Sequence, residues 1–208
     1  MQAAPEDEKR FAGFLRQPNT GLFRLFAFRR QQQVVSVSDL KSGVRPGFNN
    51  YACMYSFSKK KHGHGLQGWV DPKLGLAELV LQDGIFVSGF MGESLGLLVK
   101  LGDVPLETVT EHTAGVAEMA NIVPPVDYLE ALSLSKRNAE GFQINKFEYR
   151  SFLPASVNTT YALRSTSNKR ADVLIGFRVV RQDDDSVTIL WRKLKSYRQP
   201  SWKRKPKP

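Results

Sequence analysis

The apolar positions of this 208-residue chain change period three times, and the changes outline its elements. Between Pro5 and Arg16, Phe11, Phe14 and Leu15 recur at the spacing that places them on one side of a helix. Glu6, Asp7 and Glu8 fall in its first turn, where the helix dipole favours negative charge. Pro18-Asn19-Thr20-Gly21 supplies turn chemistry and ends it. The pattern then shortens to period two. "GLFRLFAFRR" alternates Phe26 and Phe28 with Ala27 and Arg29, and "QVVSVSDL" sets Val35 and Val37 against Ser36 and Ser38, as strands do. A turn-rich connector from Gly43 to Asn50 leads to a third, aromatic strand, "YACMYSFS".

The middle of the chain holds the clearest hairpin. Asp83-Gly84 separates "LAELVLQ" from "IFVSGF", and that pair suits a type I′ turn, whose two central residues need positive φ. "LGLLVKL" reads as another strand. Helical periodicity then returns, predicting helices over Glu107–Asn121 and Pro125–Ala139 joined at Pro124-Pro125. Leu129, Leu132 and Ala139 share a face of the second, and Gly141 is placed to cap it behind Lys136 and Arg137. The last third is strand again: "FEYRSFL", "TTYALRS", and the pair "ADVLIGFRVVRQ" and "SVTILWRKLKSY" joined through Asp183-Asp184-Asp185. Val173, Ile175, Phe177 and Val179 form one face of this pair, and Val187, Ile189 and Trp191 meet them across an antiparallel ladder. The order lacks βαβ alternation. It predicts an α+β fold with a mainly antiparallel sheet, an N-terminal helix and a central helical pair at about 107–140. One domain covers 1–197, and prolines and charges make 198–208 a flexible basic tail.

Composition narrows this picture. An apolar fraction of 41% with 11% aromatics fits a globular fold. No run approaches the roughly 18–20 apolar residues of a membrane helix, so the expected protein does not span a membrane. The single Cys53 excludes an internal disulfide and any CxxC motif, and its aromatic strand context reads as core packing. The net charge of +10 is uneven. Residues 71–148 carry 12 acidic and 5 basic side chains, whereas eight basic residues and no acid follow Asp185. The excess belongs mostly to the tail, and no uniformly basic body is implied.

Five stretches raise the question of chemistry. "SKKKHGHGLQGW" gathers His62 and His64 as weak metal-ligand candidates, but a site needs three or four convergent ligands. Lys59, Lys60 and Lys61 would repel a cation, so this stretch reads as an exposed basic turn, with an anion rather than a metal as the expected ligand if it binds one. "GESLG" matches the nucleophile-elbow pattern with Ser94 as nucleophile and His112 as the one histidine that follows. The required helix after the serine is not predicted, which favours a plain turn. The tail, with Lys203, Arg204 and Lys205 beside Tyr197 and Trp202, suits a polyanion, unpaired bases or a membrane interface. Asn158-Thr159-Thr160 fits the glycosylation pattern, and Asp183 to Asp185 lack calcium-loop spacing and read as a hairpin turn.

"FAGFLRQPNTG", "LPASVNTTYALRS" and "ADVLIGFRVVRQD" together resemble a group of small, uncharacterised, exported bacterial proteins. The resemblance spans most of the chain and implies an exported, periplasmic or secreted location. It supplies no activity, cofactor or site residue. Gln2-Ala3-Ala4-Pro5 agrees, since it is similar to a mature start left by signal cleavage with a methionine added; a cytoplasmic location is the alternative. The leading expectation is a non-enzymatic binding protein without a cofactor, contacting an anionic surface or polymer through its basic segments. The rivals are a hydrolase using Ser94 and His112 or a His62/His64 metal, and a nucleic-acid-binding protein.

Overall fold

The computed structural model describes residues 3–27, 53–63, 70–71, 75–90 and 92–203. Pro5–Arg10 (α1) and Ala12–Leu15 (α2) form the N-terminal helical segment, with its break at Phe11. Phe14 is buried and Phe11 and Leu15 pack beside it, as the periodicity predicts. Two antiparallel sheets follow. The larger has eight strands among the described residues, with the order β1-β15-β14-β13-β9-β11-β10 and β8 paired to β9. Its members are β1 (Thr20–Phe26), β8 (Gly89–Phe90), β9 (Ser94–Gly102), β10 (Phe142–Ile144), β11 (Phe147–Arg150), β13 (Thr159–Ser167), β14 (Ala171–Gln182) and β15 (Ser186–Ser196). The smaller runs β12-β7-β6-β2-β3, from Phe152–Pro154 (β12), Ile85–Val87 (β7), Leu79–Gln82 (β6), Met54–Ser56 (β2) and Lys61–Gly63 (β3). A two-stranded piece pairs Val70–Asp71 (β4) with Gly75–Leu76 (β5).

The larger sheet is buried on both faces, which is why all nine residues of β13 are buried. Its first face meets the smaller sheet through an aromatic core in which Tyr161 stacks on Phe177 at 5.2 Å and Phe23 stacks on Tyr55 at 3.7 Å. Here the β14–β15 expectation holds residue by residue. Val173, Ile175, Phe177, Val179, Val187, Ile189 and Trp191 all enter this core, with Phe177 opposite Trp191 and Val179 opposite Ile189. Asp83 and Gly84 have φ of 49° and 77°, so the β6–β7 hairpin uses the turn its sequence predicts. In β1 the core face belongs to Phe23 and Leu25, with Ala27 beside them. Phe26 therefore points away from the intersheet core. Phe28 and the strand expected at 33–40 lie outside the described residues.

The second face carries the helical layer, and here the prediction is corrected. Instead of a helix over 107–121, the chain forms a 3-10 turn at Leu106–Thr108, a loop, and a one-turn helix, α3, at Ala117–Ala120. The helical spacing of Leu106, Val109, Val116 and Met119 survives as a row of buried anchors in a mostly irregular segment. Gly115, with φ of 86°, turns the backbone back before α3. Helix α4 (Tyr128–Glu140) starts three residues later than expected, because Asp127 and Glu130 set its beginning. Asp127 accepts from Glu130 N at 2.9 Å, while Glu130 reaches back to accept from Val126 N at 2.8 Å, a capping box in variant form. Gly141 ends it, donating to Arg137 O at 2.9 Å.

The tail prediction is also corrected as far as the described residues reach. Trp202 is only 2% exposed, and with the buried Pro200 it ties the segment at 198–203 to the body, while Arg198, Gln199, Ser201 and Lys203 remain exposed. Trp202 is the apolar anchor that a count of prolines and charges overlooks. Arg204 to Pro208 lie outside the described residues.

Candidate binding cleft

An apolar cleft of about 110 Å³ opens between α4, α3, the β10–β11 hairpin and the second face of the larger sheet. Its floor is Leu95 and Leu97, alternate residues of β9, with Thr166 from β13. Leu134 overhangs it from α4, and Phe142 and Tyr149 close one side, stacked at 5.3 Å. The strand between the floor residues is held close to α4, since the buried Asn138 donates through Nδ2 to Gly96 O at 3.1 Å. On the opposite face the position requires glycine, since a Cβ at Gly96 would collide with Ser88 and Gly89. The strand is held from both sides.

A buried ionic cluster forms the inner wall. Arg164, 3% exposed, makes a bidentate pair with Asp172 at 2.6 and 2.8 Å. Its Nη1 donates to Met119 O at 3.0 Å and Ala120 O at 3.3 Å, so it caps the C-terminal carbonyls of α3. The Tyr197 ring lies 3.4 Å from the guanidinium carbon, and its hydroxyl donates to Ala120 O at 3.1 Å. Thr166 donates to Asp172 at 3.1 Å. Burying a charge pair is costly, and this one is compensated on every side that contacts it. Position is what it provides, by fixing one-turn α3 against the sheet. Burial is the main cause that raises the Tyr197 and Tyr149 hydroxyls above their ordinary range. Both remain neutral donors, and Tyr149 donates to Gly115 O at 3.0 Å.

The rim is charged. Arg137 extends over Phe142 with its guanidinium carbon 4.0 Å from the ring centre, and Glu118 accepts from Gly115 N at 3.0 Å. Ile122, Val123 and Pro124 complete the mouth. An apolar interior with one cation and one carboxylate at the rim accommodates an uncharged carbon group and orients whatever polar part follows it. Sequence reasoning missed this site. One signal was available: Arg164 sits in a strand otherwise built to be buried, and Asp172 lies across the tight turn at Lys169, whose φ is 56°.

The residues singled out from sequence are dispersed. Ser94 is buried at the start of β9 and lies within the strand, not on an elbow. By alternation it faces the smaller sheet. His112 lies on the loop of the helical layer, its side chain 86% exposed and 3.6 Å from Glu111, so the larger sheet separates the two. His62 donates through Nε2 to Arg24 O at 3.0 Å, and its ring packs edge-on against Phe23 and Tyr55. His64 lies outside the described residues, and among the described residues no three His, Cys, Asp or Glu side chains converge as metal ligands do.

Lys59 and Lys60 occupy the exposed β2–β3 turn, and Lys61, also exposed, opens β3. Glu78 organises that turn from beneath, accepting from Ser58 N at 3.1 Å and from the Ser58 hydroxyl. Burial pushes the Glu78 carboxyl above its ordinary range, against the opposing pull of the Ser58 bonds. The turn is remote from Lys203. Phe57 packs on Phe177 and Trp191, level with Tyr161 on β13, whereas Trp202 is bonded to Asn168 just beyond the other end of that strand. Seven residues of strand separate these levels, roughly 23 Å, and the two basic sites lie on opposite faces of the larger sheet. They form no common basic surface. Arg204 and Lys205 lie outside the described residues.

Compared with protein-family models, curated proteins and solved structures, the chain matches none. Among the described residues no helix is long and apolar enough to cross a membrane.

Proposed function

We propose that this protein is a non-enzymatic binding module of the bacterial envelope or secreted space that receives an apolar group in the cleft beneath α4. The observation that carries the reading is the cleft's construction: an apolar interior, a pinned floor, a wall held by the Arg164–Asp172 cluster, and Arg137 and Glu118 at the rim. Its 110 Å³ is somewhat less than the roughly 150 Å³ of a dry cavity that binds benzene. A branched group of about four carbons or the end of an alkyl chain fits, and a complete cofactor does not. The exported location rests on the resemblance described above.

The test is a titration with isobutanol followed by methyl NMR. Saturable shifts at Leu97, Met119 and Leu134, absent from Leu134→Trp, are expected. A response spread evenly over the protein's methyl groups, or one unchanged in Leu134→Trp, overturns the assignment.

A further inference from the structure

We propose that the apolar group received by the cleft is the side chain of a free branched aliphatic α-amino acid, with leucine as the best fit. This rests on the cleft reading above and adds the charged head that the reading leaves open. The polar groups inside the cleft are spent within the protein. Arg164 pairs with Asp172, Thr166 donates to the same carboxylate, and Asn138 donates to Gly96 O. The rim differs. Arg137 and Glu118 line the same opening, and among the described residues neither makes an ion pair, with the other or with a third side chain. A cation and a carboxylate without counterions, set beside one apolar interior, are complementary to a zwitterion that carries a hydrocarbon group.

The rings between the two charges govern their spacing. The Arg137 guanidinium carbon lies 4.0 Å from the centre of Phe142, and Phe142 stacks on Tyr149 at 5.3 Å. Glu118 adjoins Tyr149: after burial, its charge is the next cause that raises the Tyr149 hydroxyl. One charge is thus attached to each ring of the stack. An α-carboxylate and an α-ammonium share one carbon, and with a hydrogen bond of ordinary length at each end they bridge charged groups roughly 10 Å apart. Phe142 holds the guanidinium in place for a bidentate contact with the carboxylate. Glu118 is held by Gly115 N, and a carboxylate with several acceptor positions keeps room for an ammonium as well.

Below the rim, Leu95, Leu97, Met119 and Leu134 surround the space that takes the side chain. The branched carbons of leucine match its 110 Å³, whereas a phenyl ring overfills it. Other occupants answer only part of the site. A short fatty acid leaves Glu118 without a cation, and an aliphatic amine leaves Arg137 without an anion. At a peptide end, the residue entering the cleft has lost one of its two charges to an amide.

The experiment compares isobutanol and L-leucine in titrations of the full chain, followed by methyl NMR at Leu97, Met119 and Leu134. Leucine should saturate the same methyl groups at a concentration about tenfold lower or less, because two charge-assisted contacts are added. Isocaproate, isoamylamine, leucinamide and N-acetyl-leucine each lack one of the charges and should bind about tenfold more weakly than leucine. Arg137→Gln and Glu118→Gln should each lower the ratio of leucine to isobutanol affinity about tenfold. Arg137 is exposed, and Glu118→Gln keeps an acceptor for Gly115 N, so both variants should fold. Saturable isobutanol uptake with leucine no tighter overturns this inference and leaves the cleft reading standing. Uptake of neither overturns both. A single-charge analogue that equals leucine, or an affinity ratio unchanged in either variant, also overturns the zwitterion.

Discussion

Asn168 and Trp202 exchange two hydrogen bonds: Trp202 N–H donates to Asn168 Oδ1 at 3.1 Å, and Asn168 Nδ2 donates to Trp202 O at 3.2 Å. A side-chain amide thereby does for the chain end what a neighbouring strand would do, satisfying both backbone groups of a buried residue. Together with Pro200 O, which accepts from Lys169 N at 2.9 Å, it converts the end of the chain into part of the fold.

Deleting that end should therefore destabilise the protein. Trp202→Ala, or a chain stopping at Tyr197, should lose about 3–5 kcal/mol in urea unfolding, the range for removing a buried tryptophan. A midpoint unchanged within error would mean that Trp202 does not dock in solution.

The Arg164–Asp172 pair makes a second quantitative claim. Arg164→Met leaves a carboxylate buried without its partner and should cost about 3–5 kcal/mol. The double variant Arg164→Met/Asp172→Leu should recover much of that loss, because neither charge then remains. Equal losses in the single and double variants would show that the arginine acts by packing alone.

These two features mark where the sequence was legible and where it was not. The β14–β15 ladder and the Asp83-Gly84 turn were readable, since alternation and positive φ are local properties of the residues that carry them. Arg164, Asp172 and Trp202 depend on partners 8 to 110 residues away, which no local period records. The expected helix over 107–121 failed for a related reason. Leu106, Val109, Val116 and Met119 keep a helix-like spacing, but Gly115 and the Thr110–Thr113 turn let them reach the sheet without a continuous helix. For the candidate site, the sequence showed the Ser94 and histidine motifs but not the sheet that separates Ser94 from His112.

Stability should depend on pH through Glu78. Burial raises its folded pKa above the unfolded carboxylate value near 4.3, so the folded state holds the proton more tightly. The corresponding stability is complete below that unfolded value and is lost as pH rises through the folded one. Urea midpoints measured from pH about 4 to 8 should fall over this window in the native protein and fall less in Glu78→Gln. Identical profiles would exclude Glu78 as the titrating group.

Filling the cleft should separate binding from stability. Leu134→Trp lies at a half-buried position over the opening, so it should change the unfolding free energy by less than about 1 kcal/mol while abolishing uptake of small apolar probes. A large loss of stability would place Leu134 in the packed core instead.

The most direct measurement is a crystal of the protein pressurised with xenon, which enters dry apolar cavities without needing a polar contact. A xenon peak between Leu97, Met119 and Leu134 is expected in the native protein, with none there in Leu134→Trp. Xenon bound elsewhere with this cleft empty, or ordered water filling it, would contradict the claim that the protein is built to hold an apolar group beneath α4.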